Sequence, residues 1–218
     1  MAYTFSSLKT QLQNEVGDPN LDDDLAGYAI NQAQQAIFNE YDLTLNSDTQ
    51  TNAVASGANT LTSALPDDLQ RIKGLYITSP SSRAKSLKPY YTDPDDFREH
   101  FPDAGTNTGA LGHWATFNGT VEFAVKSDTD VTVKVDYIKS VPILTATTDV
   151  PVVPEAFKEL LMIGSKMRVF EGKEDFDYAG QYTNRYADLL EAFSRRYSTR
   201  QVDVQSVVKG ARNRVVWR

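Results

Sequence analysis

The sequence predicts an α+β protein: a helical bundle formed by its N- and C-terminal helices, a central antiparallel β-strand insertion and an extended C-terminal tail. Three observations carry this. Apolar residues recur at helical spacing near both ends, the period falls to two in the middle, and the last twenty residues follow neither rule. The chain accordingly divides into residues 1–45 (N-terminal helices of the bundle), 46–150 (the β-rich insertion), 151–198 (C-terminal helices of the bundle) and 199–218 (an extended, partner-docking tail). Its 218 residues suffice for one domain with a sizeable insertion, and 40% hydrophobic with 23% charged residues is the composition of a folded protein.

The first helix is expected from Thr4 to Val16, where Phe5, Leu8, Leu12 and Val16 fall on one stripe and Gly17 follows the end. "GDPNLDDD" then makes a turn whose acids suit the positive start of a second helix, Asp23 to Tyr41, with Leu25, Ala29, Ala33, Ala36 or Ile37, and Tyr41 inward. Residues 46–58 are rich in Ser, Thr, Asn, Ala and Gly and read as loop. "TLTSALP", "RIKGLYITS" and "KSLKPYY" read as strands, and "TDPDDFREHFP" as a short helix opened by Asp93 and Pro94. Asn118-Gly119 between "LGHWATF" and "TVEFAVK" is a hairpin signal, because a tight primed turn needs positive φ. "VTVKVDY" alternates a buried face with a wet one. Helical spacing returns at "VPEAFKELLMIGSKMRVF", which Gly172 stops. A further long helix over "KEDFDYAGQYTNRYADLLEAFSRRY" places Phe176, Ala179, Tyr182 or Thr183, Tyr186, Leu190 and Phe193 on one side.

Several function classes find no support. The chain has no cysteine, hence no disulfide, thiolate metal site or cysteine nucleophile. "DPNLDDD" starts like a calcium loop but has Asp23 and Ala29 where the loop needs Gly and Glu, so helix capping explains it. Gly172-Lys173 lacks the remainder of a phosphate loop, and His100 and His113 have no neighbouring ligand set. No catalytic, cofactor-binding or metal site is expected. The absence of a leader or a long apolar run predicts a soluble protein made in the cytoplasm of its host, with no membrane partner. A net charge of −7 opposes general nucleic-acid wrapping.

The charge is unevenly spread. From Arg195 onward seven Lys or Arg face one acid, so that segment is +6 and the remainder −13. Val207, Val208, Val215, Val216 and Trp217, with Arg212, Arg214 and Arg218, make a basic, apolar end suited to ordering on a partner. Tyr178, Tyr182 and Tyr186, with Arg195 and Arg196, recur along the last helix as core or subunit interface.

"LKTQLQNEVGDPNLDDDLAGYAINQAQQAIFNEY", "SALPDDLQRIKGLYI" and "YIKSVPILTATTDVPVVPEAFKELLMIGSKMRVFEGKEDFDYAGQYTNRYADLLEAF" together resemble the head-to-tail adaptor proteins, also called head completion or connector proteins, of tailed bacteriophages. The shared order is a helix pair with a "GD" turn, an "LP.D..RI" strand entry, a "Y...P..L" exit, "P..F..LL..G", and a helix with "A..Y...Y". The resemblance implies a structural, non-enzymatic virion protein in the neck: a ring, typically of twelve copies, seated on the portal protein. Such a ring extends the DNA channel, through which DNA passes without specific binding, and offers a platform to the tail or next neck protein. It also implies portal docking by the C-terminal extension, here Val207, Val208, Arg212, Arg214, Val215, Val216, Trp217 and Arg218. Other readings stay open: another ring-forming tail or neck component, a carbohydrate-binding module using Trp114, Tyr90, Tyr91 and Phe97 as exposed aromatics, or an enzyme built from scattered acids.

Overall fold

The structure, a computed structural model, describes residues 3–18, 20–41, 43–89, 94–117 and 119–198. It is α+β and resolves into two compact units, one built from residues 1–45 and 144–218 and the other from residues 46–143.

In the first unit, helix α1 (Phe5–Val16) starts at Thr4, whose side chain accepts from the Ser7 amide while the Ser7 hydroxyl accepts from the Thr4 amide at 3.1 Å. This is a capping box with serine in the place usually held by Glu. Gly17, at φ 71°, ends the helix in the left-handed conformation that glycine adopts without a steric penalty. Helix α2 (Asp23–Glu40) is capped by Asp22, whose carboxylate accepts from the Asp24 amide at 3.0 Å. Its buried stripe is Ala26, Ala29, Ile30, Ala33, Ile37 and Phe38; Ala29, Ala33 and Ile37 lie inward as expected, while Leu25 and Tyr41 are half-buried. Gly27 allows close approach: a Cβ there would lie 3.0 Å from the Phe5 ring.

Residues 144–153 form no regular element; the Asp149 carboxylate accepts from the Thr145 and Ala146 amides within the segment, and the N-terminal part of the chain supplies the other partners. Asn31 donates to the Leu144 carbonyl at 3.0 Å and accepts from the Leu144 amide at 2.8 Å. Gln34, fully buried, accepts from the Val152 amide at 2.8 Å. The Phe5 and Ser6 amides donate to the Asp149 and Thr147 carbonyls, and the Tyr3 hydroxyl donates to the Val153 carbonyl at 2.6 Å.

The expected helix from Val153 begins instead as a 3-10 turn, Glu155–Phe157, behind Pro154, and becomes α4 (Lys158–Gly172). Leu160 to Ser165 are all buried, so the middle of α4 is covered on every side. Gly164 explains how: a Cβ there would lie 3.2 Å from the Ala33 Cβ of α2 and 3.0 Å from the Tyr186 ring. The helix ends in a Schellman arrangement, with the Glu174 amide donating to the Glu171 carbonyl and the Asp175 amide to the Phe170 carbonyl. The left-handed residue is Glu174, at φ 59°, not Gly172. The single long helix expected beyond it is two, α5 (Phe176–Gln181) and α6 (Thr183–Tyr197), broken at Tyr182. Gly180 and the β-branched Thr183, both weak helix formers, flank the break. Phe193 of α6 is fully buried among Phe38, Phe157 and Tyr197, with ring centroids 5.0 to 6.2 Å away.

The second unit holds a six-stranded sheet in the order β1-β8-β2-β3-β5-β6. The strands are β1 (Ser47–Val54), β2 (Leu69–Ser79), β3 (Lys85–Pro89), β5 (His113–Phe117), β6 (Thr120–Phe123) and β8 (Val131–Lys139); β4 (Thr108–Gly109) and β7 (Lys126–Ser127) form a separate pair. The sheet is antiparallel except for the short β3–β5 pairing. Helix α3 (Pro94–His100) lies where a short helix was expected. Two expectations fail here. β1 was read as loop, for its sequence is polar, but its whole length pairs with the strongly alternating β8. "TLTSALP" was read as a strand and contributes one bridge, Thr60 to Glu122; its remainder runs beside β1. There the Thr62 amide donates to the Ala53 carbonyl, and the Asn52 side chain donates to the Ser63 carbonyl and accepts from the Ser63 amide. Leu61 and Leu65 drop into the core formed by Val54, Leu75, Ile77, Leu87, Trp114, Phe123, Val133 and Val135.

Two substitutions test this packing by urea unfolding. Phe193→Ala is expected to lower stability by about 3–5 kcal/mol, because a buried aromatic leaves a cavity. Glu174→Gly is expected to raise it by about 0.5–1 kcal/mol by relieving the left-handed backbone.

Candidate interaction surface

The residues singled out in the sequence do not form one site. Val207, Val208, Arg212, Arg214, Val215, Val216, Trp217 and Arg218 lie outside the described residues. Tyr178 and Tyr182 both stack on Phe170 of α4, at 5.5 Å and 6.1 Å between ring centroids. Tyr186 packs across Gly164; burial, and secondarily the charge of Glu40, push its hydroxyl pKa up. At the far end of α6, Arg195 donates to Glu191 at 2.5 Å, and the Arg196 guanidinium lies over Tyr197 at 5.6 Å and Phe157 at 6.0 Å. The Thr44 hydroxyl donates to the Tyr197 carbonyl, and Leu43 bridges to Ser198, fastening this end to the chain that leaves α2.

Two features beside the tyrosines escaped sequence reading. The first is the exposure of α5. Phe176, placed inward by the expected stripe, is 67% exposed, and Tyr178 is 52% exposed. They stand among Glu174, Asp175 and Asp177, and Asp175 caps α5. Both aromatics lie off the buried side of the last helices, which Ala179, Leu190 and Phe193 form.

The second is a groove of about 420 Å³ where α1, α4 and the start of α6 meet. Met162 and Ile163, buried on α4, contribute its apolar lining, together with Tyr182. Charged groups line it too. Lys166 pairs with Glu15 at 2.6 Å and lies 5.4 Å from the Tyr182 ring centre, and Arg185 donates twice to Glu159, at 2.9 and 3.0 Å. Lys158 has no ion-pair partner among the described residues. Partial burial pushes the Glu15 carboxyl upward, but hydrogen bonds from Lys166 and Gln11 outweigh it and hold the pKa below the usual value. Three cations against two carboxylates make the groove locally basic in an acidic chain. The legible signal was the helical spacing of Lys158, Met162 and Lys166; what it faces depends on tertiary packing.

The carbohydrate reading loses two of its four aromatics. Trp114 is buried and its indole donates to the Leu87 carbonyl at 3.3 Å; Phe97 is fully buried against Phe101 and Phe117. Tyr90 and Tyr91 lie outside the described residues. Asp18 and Asp22, weighed as calcium ligands, accept from the Asn20 and Asp24 amides as turn and cap. Among the described residues no group of three acidic or imidazole side chains is placed to hold a metal ion, and no helix is long and apolar enough to cross a membrane.

A protein-family model described as SU10 adaptor protein matches residues 3–212. No curated protein matches the chain.

The pH dependence of stability follows from the shifted groups. Glu15 and Asp18, the latter held low by its 2.6 Å hydrogen bond from Lys173, stabilise the fold above the ordinary carboxylate range; that contribution is lost as pH falls through their lowered values. Tyr3 and Tyr186 are raised, chiefly by burial, so their contribution is complete below about 10, the free tyrosine value, and is lost as pH rises further. Thermal melts across pH should show both limbs. Glu15→Gln should flatten the acid limb and Tyr186→Phe the alkaline one; unchanged limbs would refute the assignment.

Proposed function

The chain belongs to the SU10 adaptor protein family, a bacteriophage adaptor family, and from that membership we propose that it docks as a closed ring on the portal protein in the neck of a tailed virion. There it extends the DNA channel and presents a platform for the tail or the next neck protein. The observation that carries this reading is the extent of the family match, from residue 3 to residue 212, through both compact units and into the basic end.

The physical chemistry of the chain supports the same role. An adaptor that repeats around an axis needs outward apolar surface to meet its neighbours, and Phe176 and Tyr178 supply it. A channel that lets DNA slide must hold phosphates weakly, which suits the −13 of the chain before Arg195. The +6 segment from Arg195 onward carries Val207, Val208, Arg212, Arg214, Val215, Val216, Trp217 and Arg218, the residues proposed to reach the portal. The role is structural and requires no cofactor.

Mixing the purified protein with rings of its portal and imaging by electron microscopy tests the proposal. Ring density on the tail-facing end of the portal is expected. Portal rings left bare, or occupancy only at another position along the particle, would overturn it. A chain ending at Arg200 should lose portal binding, and undiminished affinity would remove the tail from the docking surface.

A further inference from the structure

The ring reading leaves open how one copy holds the next, and the two features beside the tyrosines are complementary in chemistry. One is a protruding, acidic aromatic knob: Phe176 and Tyr178, 67% and 52% exposed, flanked by Glu174, Asp175 and Asp177. Glu174 and Asp177 have no cationic partner among the described residues. The other is the groove of about 420 Å³ with Met162 and Ile163 in its lining and Lys158, Lys166 and Arg185 around it. Lys158 forms no ion pair there, although its charge acts on Glu15, and with three cations to two carboxylates the groove keeps a positive excess opposite in sign to the knob.

Resting on the ring reading, we infer that the α5 knob of one copy seats in the α1–α4–α6 groove of a second copy, making the head-to-tail contact that repeats around the ring. Knob and groove are different patches of the same chain, so each copy offers one of each, and such heterologous contacts close into a ring when the rotation between copies divides a full turn. Buried aromatics surrounded by polar groups are the usual anchors of interfaces, and opposite charges fix register and disfavour misdocked neighbours. The Schellman turn suits the knob: Glu174, in the left-handed conformation, is the pivot from which α5 departs α4.

The natural chain contains no cysteine, which permits a direct test. One chain carries Gln181→Cys beside the knob, a second carries Gln11→Cys at the groove, and both are assembled on portal rings and treated with a short bismaleimide. The mixture should give a cross-linked dimer that neither chain gives alone. Lys158→Glu in the groove chain should abolish the band, and Glu174→Lys with Asp177→Lys in the knob chain should restore it. A dimer from the Gln181→Cys chain alone would mean knob meets knob, and overturn the inference. So would a cross-link within one monomer between Gln11→Cys and Trp217→Cys, which would place the chain's own tail in the groove. Rings visible by microscopy without any cross-link would overturn this contact and leave the adaptor reading standing; no rings at all would overturn both.

Discussion

The bundle depends on how ten irregular residues, 144–153, are held. Where this segment without secondary structure is anchored in the interior, at Leu144, Pro151 and Val153, its backbone amides and carbonyls must find partners, and each buried one left unmatched costs on the order of 1–3 kcal/mol. Asn31 and Gln34 meet that requirement from α2, and Tyr3 and the first amides of α1 meet it from the other end of the unit. Both N-terminal helices thereby have their positions fixed by a stretch more than 100 residues away. α4 lies beside α2, with Gly164 in contact distance of Ala33 and Tyr186.

This arrangement separates what holds the molecule from what it shows to others. Leu160, Leu161, Val169 and Phe193 are committed to the interior, as are Phe38, Ala26, Ala29 and Ala33 of α2. The break at Tyr182 frees a short helix from that duty. Phe176, the first residue of α5, stands in solvent, while Phe170 stacks against Tyr178 and Tyr182. Charge follows the same division, since the ion pairs Lys166–Glu15 and Arg185–Glu159 lie at the groove surface, where they add selectivity more than stability.

Much of the fold was legible because its signals are local. Thr4, Gly17 and Asp22 mark helix ends by their own side chains or backbone, and α1 and α2 fall within a residue or so of expectation. The alternation of Val131, Val133 and Val135 announced β8. What escaped depends on partners distant in sequence. Nothing in "SDTQTNAV" specifies a strand until β8 lies beside it, and Phe176 looks like core until the helix breaks. The groove was invisible for the same reason: Gln11, Lys158 and Arg185 come together only through the bundle. The aromatic stripe of the last helix, by contrast, was half right, with Leu190 and Phe193 inward as expected.

The Asn52 side chain has a consequence for crowding. By exchanging two hydrogen bonds with Ser63 it draws an irregular segment along the outer rim of β1, where bare amides and carbonyls would otherwise invite a stranger's strand. In the ring proposed above, subunits would face their own kind at very high local density. Where the segment covers β1, at Asn52 and Ala53, the cheapest wrong handshake is denied and association is left to side-chain surfaces that recognise a specific mate.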